Sequence, residues 1–423
     1  MKPASLARLP WAILAAAAFF PSAAAAFSSL SSTPAASVCD ASEGYSASFD
    51  GRRTFTLRPA DLEAIKAALP DNAPIGAAYR ALIGRADKAI AAKPASVMDK
   101  RSIPASGDRH DYVSLARYWW PNPADPKGAY VRRDGDTNPD IESARFDRAA
   151  LARMVRDADT LALAYYYSDD AKYAEGAARV IRTWFLDPAT AMNPNMNYAQ
   201  AVPGVSNGRP EGVLDGTGFI AVIDAAGLIA PSGAISPAET AALERWFSRY
   251  IDWMRKSPNG RGEGAKNNNH GIWYDAQLAR YALFARRPDI TRRVTAAFPK
   301  TRIERQIAPS GALPGELTRT RSFHYSLYAL DAAYTVADSA ACLGIDLYGS
   351  EASEGRSLRK ATDYVAAYRK RPADWPHREM TWPAGTLDAL LVRADAAWGP
   401  GAYPREASGD LLLRHRIGVK HEQ

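Results

Sequence analysis

Cysteine is scarce in this sequence: Cys39 and Cys342 are the only two among 423 residues. Structural zinc sites use closely spaced cysteine pairs, and two residues this far apart in the chain do not supply one. The sequence therefore disfavours a cysteine metal site, and nothing in it predicts another cofactor. A disulfide between the two stays open, because the sequence does not give the distance between their Cα atoms.

Long apolar runs are also scarce. The run over residues 9–20 is too short to span a bilayer. It follows two basic residues and leads into alanines that end at Ala26, which is the pattern of a secretory signal peptide. We therefore predict a signal peptide over residues 1–26, a mature domain over 27–423, a periplasmic or secreted location, and no membrane partner after cleavage.

Alternating patterns typical of strands are scarce beyond residue 60. Apolar residues recur instead at helical spacing, and several of these segments end at Pro or Gly. In the segment 238–256 we interpret one apolar stripe as core, formed by Leu243, Trp246, Phe247, Tyr250 and Met254. We predict an all-α domain in which helical hairpins pack side by side into an incomplete (α/α) toroid.

The formal net charge of the chain is +7. In an exported protein, an excess of basic residues suits an anionic polysaccharide as partner and does not require nucleic acid. The alternative, that this excess only favours solubility, stays open. The sequence predicts no nucleic-acid partner and does not give the oligomeric state.

Three segments lack a clear periodicity, over residues 96–140, 192–212 and 257–271. Long irregular segments in a compact domain are usually functional or disordered, and the aromatic cluster 118–120 argues against disorder. Aromatic rings stack on sugar faces, while amides and guanidinium groups bind hydroxyls and carboxylates. The candidate substrate-binding residues are Arg109, His110, Tyr112, Trp119, Trp120, Asn197 and Gln200. The alternative for the two tryptophans is a place in the core beneath a loop.

Three asparagines, 267–269, stand directly before His270 at the start of a predicted helix. One asparagine, either Asn267 or Asn268, would cap that helix. A second helix begins at about Arg321 and collects cationic and phenolic side chains on one broad face. The residues on that face are Arg321, His324, Tyr325 and Tyr328. A solvated face is the alternative to a cleft wall.

Amides, an imidazole, an arginine and a tyrosine are the groups that removal of the C5 proton from a uronic acid requires. Hydrogen bonds and positive charge on the carboxylate stabilise the enolate-like intermediate. A tyrosine whose pKa is lowered by nearby cations can take the proton and return one to the leaving O4. This chemistry requires neither a metal ion nor a nucleophile.

The same residues resemble the alginate lyases with an α/α toroid fold and their wider superfamily of polyuronate lyases. Residues 268–270 match the Asn-Asn-His pattern of that family, 316–319 match Glu-Leu-x-Arg, and 325–330 match Tyr-x-x-Tyr-Ala-Leu. The aromatic segment 110–123 is similar too, so the resemblance covers most of the mature chain. It implies that Asn269 and Arg319 neutralise the substrate carboxylate. It also implies that His270 and Tyr325 transfer protons. Asn268, Arg321, His324 and Tyr328 are further substrate-binding candidates.

The sequence departs from the periplasmic alginate lyases in two places. The spacing from the arginine to the tyrosine is one residue shorter, which makes Arg321 and Tyr328 the alternative assignments. A longer segment, 96–112, stands where those enzymes have a short basic lid. A branch that acts on β-1,4-glucuronan is therefore a candidate beside one that acts on alginate.

In β-D-mannuronate and β-D-glucuronate, H5 and O4 lie on the same side of the ring, so one tyrosine can serve both atoms. The sequence offers one proton-transfer cluster, and we predict syn elimination on mannuronan or glucuronan, with a slight preference for glucuronan. Two alternatives stay open. One is a glycoside hydrolase that uses two carboxylates from Glu263, Asp275 and Glu316. The other is a non-catalytic protein that binds acidic glycans.

Overall fold

Helices make up most of the computed structural model, which describes residues 39–399, 401–403 and 408–415. The predicted signal peptide over residues 1–26 lies outside the described residues. The helices are α1 (Pro59–Ala68), α2 (Ala73–Ala91), α3 (Arg148–Ser168), α4 (Ala171–Ile181), α5 (Phe219–Leu228), α6 (Pro237–Lys256), α7 (Pro258–Gly264), α8 (Asn269–Phe284), α9 (Pro288–Phe298), α10 (Glu304–Gln306), α11 (Pro314–Leu317), α12 (Ser322–Ala341), α13 (Leu358–Ala366) and α14 (Ala384–Trp398). Within the described ranges, no helix is long and apolar enough to cross a membrane.

The strands are short and form three separate pairs. They are β1 (Val113–Leu115), β2 (Trp119–Trp120), β3 (Val131–Arg132), β4 (Tyr198–Ala201), β5 (Glu351–Ala352) and β6 (Arg356–Ser357). Strands β1 and β4 are parallel, and the other two pairs are antiparallel. In the β2–β3 pair, Trp119 lies opposite Arg132 and Trp120 opposite Val131. The first irregular segment therefore contains a hairpin that carries both tryptophans.

Helix α6 shows why the helical predictions succeed. Ser236 caps it, Glu239 completes a capping box, and Pro237 occupies the first turn. The stripe from Leu243 to Met254 is buried, as predicted. Each fully buried side chain of this size contributes about 1.5–3 kcal/mol relative to an exposed one.

The helices pack as neighbouring pairs. Helix α3 packs against α2, α4 and α5, and α8 packs against α6, α9 and α12. Two clusters of buried apolar side chains result, one mainly from α1–α6 and one mainly from α12–α14, and α8 contributes to both. This arrangement confirms the predicted all-α class. It also fixes α8 and α12, the two helices that carry the candidate catalytic motifs, against each other.

A disulfide joins Cys39 to Cys342, with the two Cα atoms 4.5 Å apart. The backbone N–H of Ala41 also donates to the carbonyl oxygen of Cys342, at 2.8 Å. These contacts fasten the first described residues to the end of α12. The question that the sequence left open is thus answered by a bond across 303 positions of the chain.

The prediction that residues 257–271 are irregular is wrong in part, because helix α7 occupies 258–264. Ser257 caps this helix and Pro258 starts it, which offsets its three glycines. Gly260 is required by close packing, since a Cβ atom there would lie 1.8 Å from the carbonyl oxygen of Met254. Helix α7 matters for the site because it carries Glu263.

Candidate active site

The first turn of α8 places His270 beside a buried carboxylate. Asn268 is the capping residue, and its side chain accepts a hydrogen bond from the backbone N–H of His270 at 3.2 Å. The imidazole Nδ1 lies 2.6 Å from Oε1 of Glu263, which is fully buried in α7. Burial raises the pKa of Glu263, and the contact with His270 opposes that rise. This contact orients the ring, so that Nε2 is the ring nitrogen left to take part in a reaction.

Asn269 is fully buried and is held by Glu316 of α11. Its backbone N–H donates to Oε1 of Glu316 at 2.6 Å, and its side-chain Nδ2 donates to Oε2 at 2.7 Å. Its Oδ1 is buried and has no hydrogen-bond partner among the described residues. Two motifs that are far apart in the sequence therefore meet through this pair.

Tyr325 lies on α12, between a second tyrosine and an arginine. Its hydroxyl oxygen is 2.5 Å from that of Tyr118, and the guanidinium of Arg319 stands 4.0 Å from the centre of its ring. Burial raises the pKa of Tyr325, Tyr118 adds to the rise, and Arg319 opposes it. The expectation that nearby cations lower this pKa below its usual value is wrong, because loss of solvent outweighs the one close cation.

Arg319 forms an ion pair that the sequence did not reveal. Its Nη2 lies 3.0 Å from Oδ1 of Asp134, in the loop that follows β3. Asp134 also accepts hydrogen bonds from Arg132 at 2.7 Å and from the hydroxyl of Thr320 at 3.0 Å. These donors hold the pKa of Asp134 below its usual value against the effect of burial. The β2–β3 hairpin is thus linked to Arg319 through the carboxylate of Asp134.

The remaining residues predicted on the second helix lie along the start of α12. Arg321 directly precedes the helix, and its backbone pairs with that of Glu379. The backbone N–H of His324 donates to Oε2 of Glu379 at 3.0 Å, and burial lowers the pKa of the His324 side chain. The Tyr328 ring packs on Trp273 at 4.9 Å. The segment around Glu379, absent from the sequence predictions, therefore adjoins this end of the helix.

Trp119 and Trp120 are half-buried on β2 and each has an arginine over its ring. The guanidinium carbon of Arg209 lies 6.0 Å from the Trp119 ring, and that of Arg133 lies 5.1 Å from the Trp120 ring. The alternative that both tryptophans are core residues is therefore wrong. Rings that retain exposed surface beside cations suit an anionic sugar.

Three of the predicted binding residues use their side chains within the fold. The guanidinium of Arg109 donates to the carbonyl oxygens of Met98 and Lys100 at 2.9 and 2.5 Å. His110 Nδ1 lies 2.7 Å from the carbonyl oxygen of Ala191. Asn197 is exposed, and its Oδ1 accepts a hydrogen bond from the indole of Trp253 at 2.8 Å. Their contact with substrate stays a prediction.

Tyr112 and Gln200 both bind Asp215. The Tyr112 hydroxyl donates to Oδ2 at 3.1 Å, and Gln200 Nε2 donates to Oδ1 at 3.2 Å. Tyr112 is fully buried, and its contact with substrate stays a prediction. Gln200 is half-buried, has a φ of +51°, and accepts a hydrogen bond from Arg209. Because Gln200 contacts Arg209, which lies over the Trp119 ring, it remains a candidate for substrate binding.

The carboxylates considered for a hydrolase each have a partner within the fold. Glu263 contacts His270, Glu316 binds Asn269, and Asp275 binds Nε of Arg302 at 2.7 Å. All three carboxylates therefore bind side chains within the fold. Over the described part of the chain, no group of three or more His, Cys, Asp or Glu side chains is arranged to hold a metal ion.

Comparison with known proteins agrees with this geometry. Residues 96–375 match the family model for alginate lyase. A crystal structure of an alginate lyase from Bacteroides ovatus is similar, with a TM-score of 0.80, 34% sequence identity, and coverage of 86% of this chain and 99% of that one. No curated protein matches the chain.

Two structures of substituted alginate lyase A1-III, an enzyme of Sphingomonas species A1, are also similar. Both are complexed with a tetrasaccharide and both are 16% identical to this chain. Their TM-scores are 0.56 and 0.53, with coverage of 84% and 92% of this chain and 95% and 100% of theirs. At this identity they show the shared fold alone.

The match with alginate lyase structures gives the fold as the predicted α/α toroid. The family model spans the candidate catalytic residues from His270 to Tyr325. The chain is therefore a polysaccharide lyase, rather than a hydrolase or a non-catalytic binding protein. It belongs to the alginate lyase family.

Proposed function

We propose that this enzyme cleaves β-1,4-linked polyuronates, either glucuronan or mannuronan, by a syn β-elimination that needs no metal ion. The single observation that carries the proposal is the placement of Tyr325. Its hydroxyl meets Tyr118 at 2.5 Å, and Arg319 covers its ring at 4.0 Å. A phenol with one hydrogen-bonding partner and one cation has what it needs to gain and lose a proton.

In the proposed reaction, the phenolate form of Tyr325, which burial disfavours and Arg319 favours, takes H5, and the electrons of the C5–H bond form the C4–C5 double bond. The C4–O4 bond breaks, and the tyrosine returns the proton to O4 of the leaving sugar. The cation of Arg319 favours the phenolate form. Its guanidinium lies over the Tyr325 ring and is paired with Asp134, and its direct contact with the substrate carboxylate stays a prediction.

The first turn of α8 suits the carboxylate at C5 of the substrate. Asn269 and His270 lie there together, and the backbone N–H of Asn269 already donates to Glu316, so the side chains are the groups proposed to meet the substrate. The fixed imidazole of His270 and the amide of Asn269 would stabilise the negative charge that develops on the carboxylate as H5 leaves. Glu263 keeps the imidazole in place for this step.

The preference for glucuronan over mannuronan rests on the segment 96–112. It stands in place of the short basic lid of periplasmic alginate lyases and holds Arg109 through two carbonyl oxygens. The two polymers differ only at C2, so a contact to one hydroxyl decides between them. Such a contact can discriminate by about 10⁴-fold at best.

We further propose that the protein is exported. The N-terminal pattern over residues 1–26 motivates this proposal. The disulfide between Cys39 and Cys342 supports it, since disulfides persist in oxidising compartments. Detection of a shortened mature chain in the periplasm or medium, and its absence after deletion of residues 1–26, would test this point.

The experiment that tests the activity is a panel of glucuronan, polymannuronate, polyguluronate and pectate, followed by ultraviolet absorbance. A lyase product absorbs because its C4–C5 double bond is conjugated to the carboxylate. We expect signal on glucuronan, on polymannuronate or on both, unchanged after treatment with a metal chelator. Cleavage of polyguluronate or pectate alone would contradict the syn mechanism, and loss of activity with chelator would contradict metal independence.

A further inference from the structure

The contact between Asn269 and Glu316 contains an imbalance of donors and acceptors. Both oxygens of Glu316 accept from Asn269, one from the backbone N–H and one from Nδ2. Meanwhile Oδ1 of Asn269 is buried with no hydrogen-bond partner among the described residues. A buried acceptor left unpaired destabilises a structure, so this arrangement is unfavourable as it stands.

An alternative arrangement gives Oδ1 a hydrogen-bond donor without moving another atom. A half-turn of the Asn269 amide exchanges Oδ1 and Nδ2, which are similar in size. Oδ1 then lies beside Oε2 of Glu316, and a proton is needed between the two oxygens. Only a protonated Glu316 supplies that proton. The amide nitrogen, with two hydrogens, then takes the position of the unpaired oxygen and needs an acceptor there, which a bound carboxylate would supply.

The surroundings of Glu316 favour the acid form. The side chain is 1% exposed, and burial raises its pKa. The hydrogen bonds from Asn269 and the charges of Arg319 and His270 oppose this rise. Arg319 is itself paired with Asp134, and His270 contacts Glu263, so each of these two side chains has a carboxylate partner other than Glu316.

The orientation of the Asn269 amide matters for the proposed elimination. A substrate carboxylate is anionic, so an asparagine that presents an oxygen to it repels it, whereas one that presents its nitrogen donates to it. We propose that Glu316 is a positioning residue that works in its protonated form and, by donating to Asn269 Oδ1, turns the amide nitrogen toward the substrate carboxylate. This inference rests on the proposed function of Asn269.

The test compares Glu316→Gln with Glu316→Ala. A glutamine reproduces the acid form, because its Nε2 donates to Asn269 Oδ1 and its Oε1 accepts from the Asn269 backbone N–H. We expect Glu316→Gln to keep turnover within about tenfold of the wild type, and Glu316→Ala to lose on the order of 10²-fold. The wild type should lose turnover at alkaline pH as Glu316 ionises, and Glu316→Gln should lack this decline.

A matched control is Asp275→Asn, which neutralises a buried carboxylate of α8 that binds Arg302 instead of Asn269. It should keep the alkaline decline of the wild type. Thermal unfolding of all variants separates a folding defect from an effect on turnover. A folded Glu316→Gln that is as inactive as Glu316→Ala would overturn the proposal, because it would mean that the ionised form is required.

A second readout does not depend on activity. The infrared difference between wild type and Glu316→Gln, recorded as a function of pH, should contain the C=O stretch of a protonated carboxyl at neutral pH. A carboxylate signal there would overturn the assignment of Glu316 even in an active enzyme. An enzyme inactive on every polymer of the panel, but with the acid signal present, would instead contradict the proposed function and leave Glu316 protonated.

Discussion

The hydroxyl oxygens of Tyr118 and Tyr325 lie 2.5 Å apart, at the short end of O–H···O hydrogen bonds. Tyr118 directly precedes strand β2, whereas Tyr325 lies on α12, so this bond connects the aromatic hairpin to the catalytic helix. Asp134, beyond the other strand of the hairpin, holds Arg319. The hairpin therefore contacts both the proposed proton-transfer group and the cation beside it.

Replacement of Tyr325 by phenylalanine removes only the hydroxyl. We expect turnover of Tyr325→Phe to fall by about 10²–10⁴-fold with substrate binding largely kept, because the proton-transfer group is lost while the ring stays on Arg319. Steady-state kinetics on the polymer that the wild type cleaves would measure this. Tyr328→Phe is the matched control one turn along the helix. Near-normal turnover in Tyr325→Phe with a collapse in Tyr328→Phe would move the assignment to Tyr328.

Arg319→Ala tests how the cation acts on Tyr325. Burial already raises the pKa of Tyr325, and Arg319 opposes this rise, so its removal should raise the pKa further. Less phenolate then forms at a given pH, and the rise of turnover with pH should move to higher pH. Arg321→Ala, in the alternative register, should leave the position of that rise in place. An Arg319→Ala profile of unchanged shape with only a higher KM would show that the arginine binds substrate without acting on the tyrosine.

Local patterns in the sequence predicted the features that depend on neighbouring residues. The cap at Asn268 and the start of α12 next to Arg321 follow from capping preference and helical spacing. Tyr118 and Asp134 could not be placed at the site in this way, because they lie 207 and 185 positions from the residues that they contact. The sequence predicts Glu263 only as a possible carboxylate of a hydrolase, because its helix contains three glycines and has no clear periodicity.

The disulfide should contribute to stability because it closes 303 positions of the chain into a loop. We expect Cys39→Ser to lower the free energy of unfolding by about 2–5 kcal/mol, the usual range for loss of a native disulfide. Urea unfolding of the wild type and the variant, each with and without reductant, measures this. Reductant should bring the wild type to the stability of Cys39→Ser and leave the variant unchanged. Equal stability of the wild type and the variant without reductant would show that the disulfide adds nothing to the free energy of unfolding.

The last prediction concerns Glu263, whose carboxylate fixes the imidazole of His270 from within the core. Glu263→Gln keeps the size and a hydrogen-bonding oxygen but removes the negative charge that lies against the imidazole. We expect turnover to fall on the order of 10²-fold, with a smaller change in KM, because the imidazole acts on charge that develops only as H5 leaves. Glu211→Gln is the matched control, since it neutralises a half-buried carboxylate that is bound by Lys266 rather than by the histidine. Equal losses in the two variants, or a Glu263→Gln enzyme with normal turnover, would mean that the charge of Glu263 does not support the reaction and that its contact with His270 only packs the start of α8.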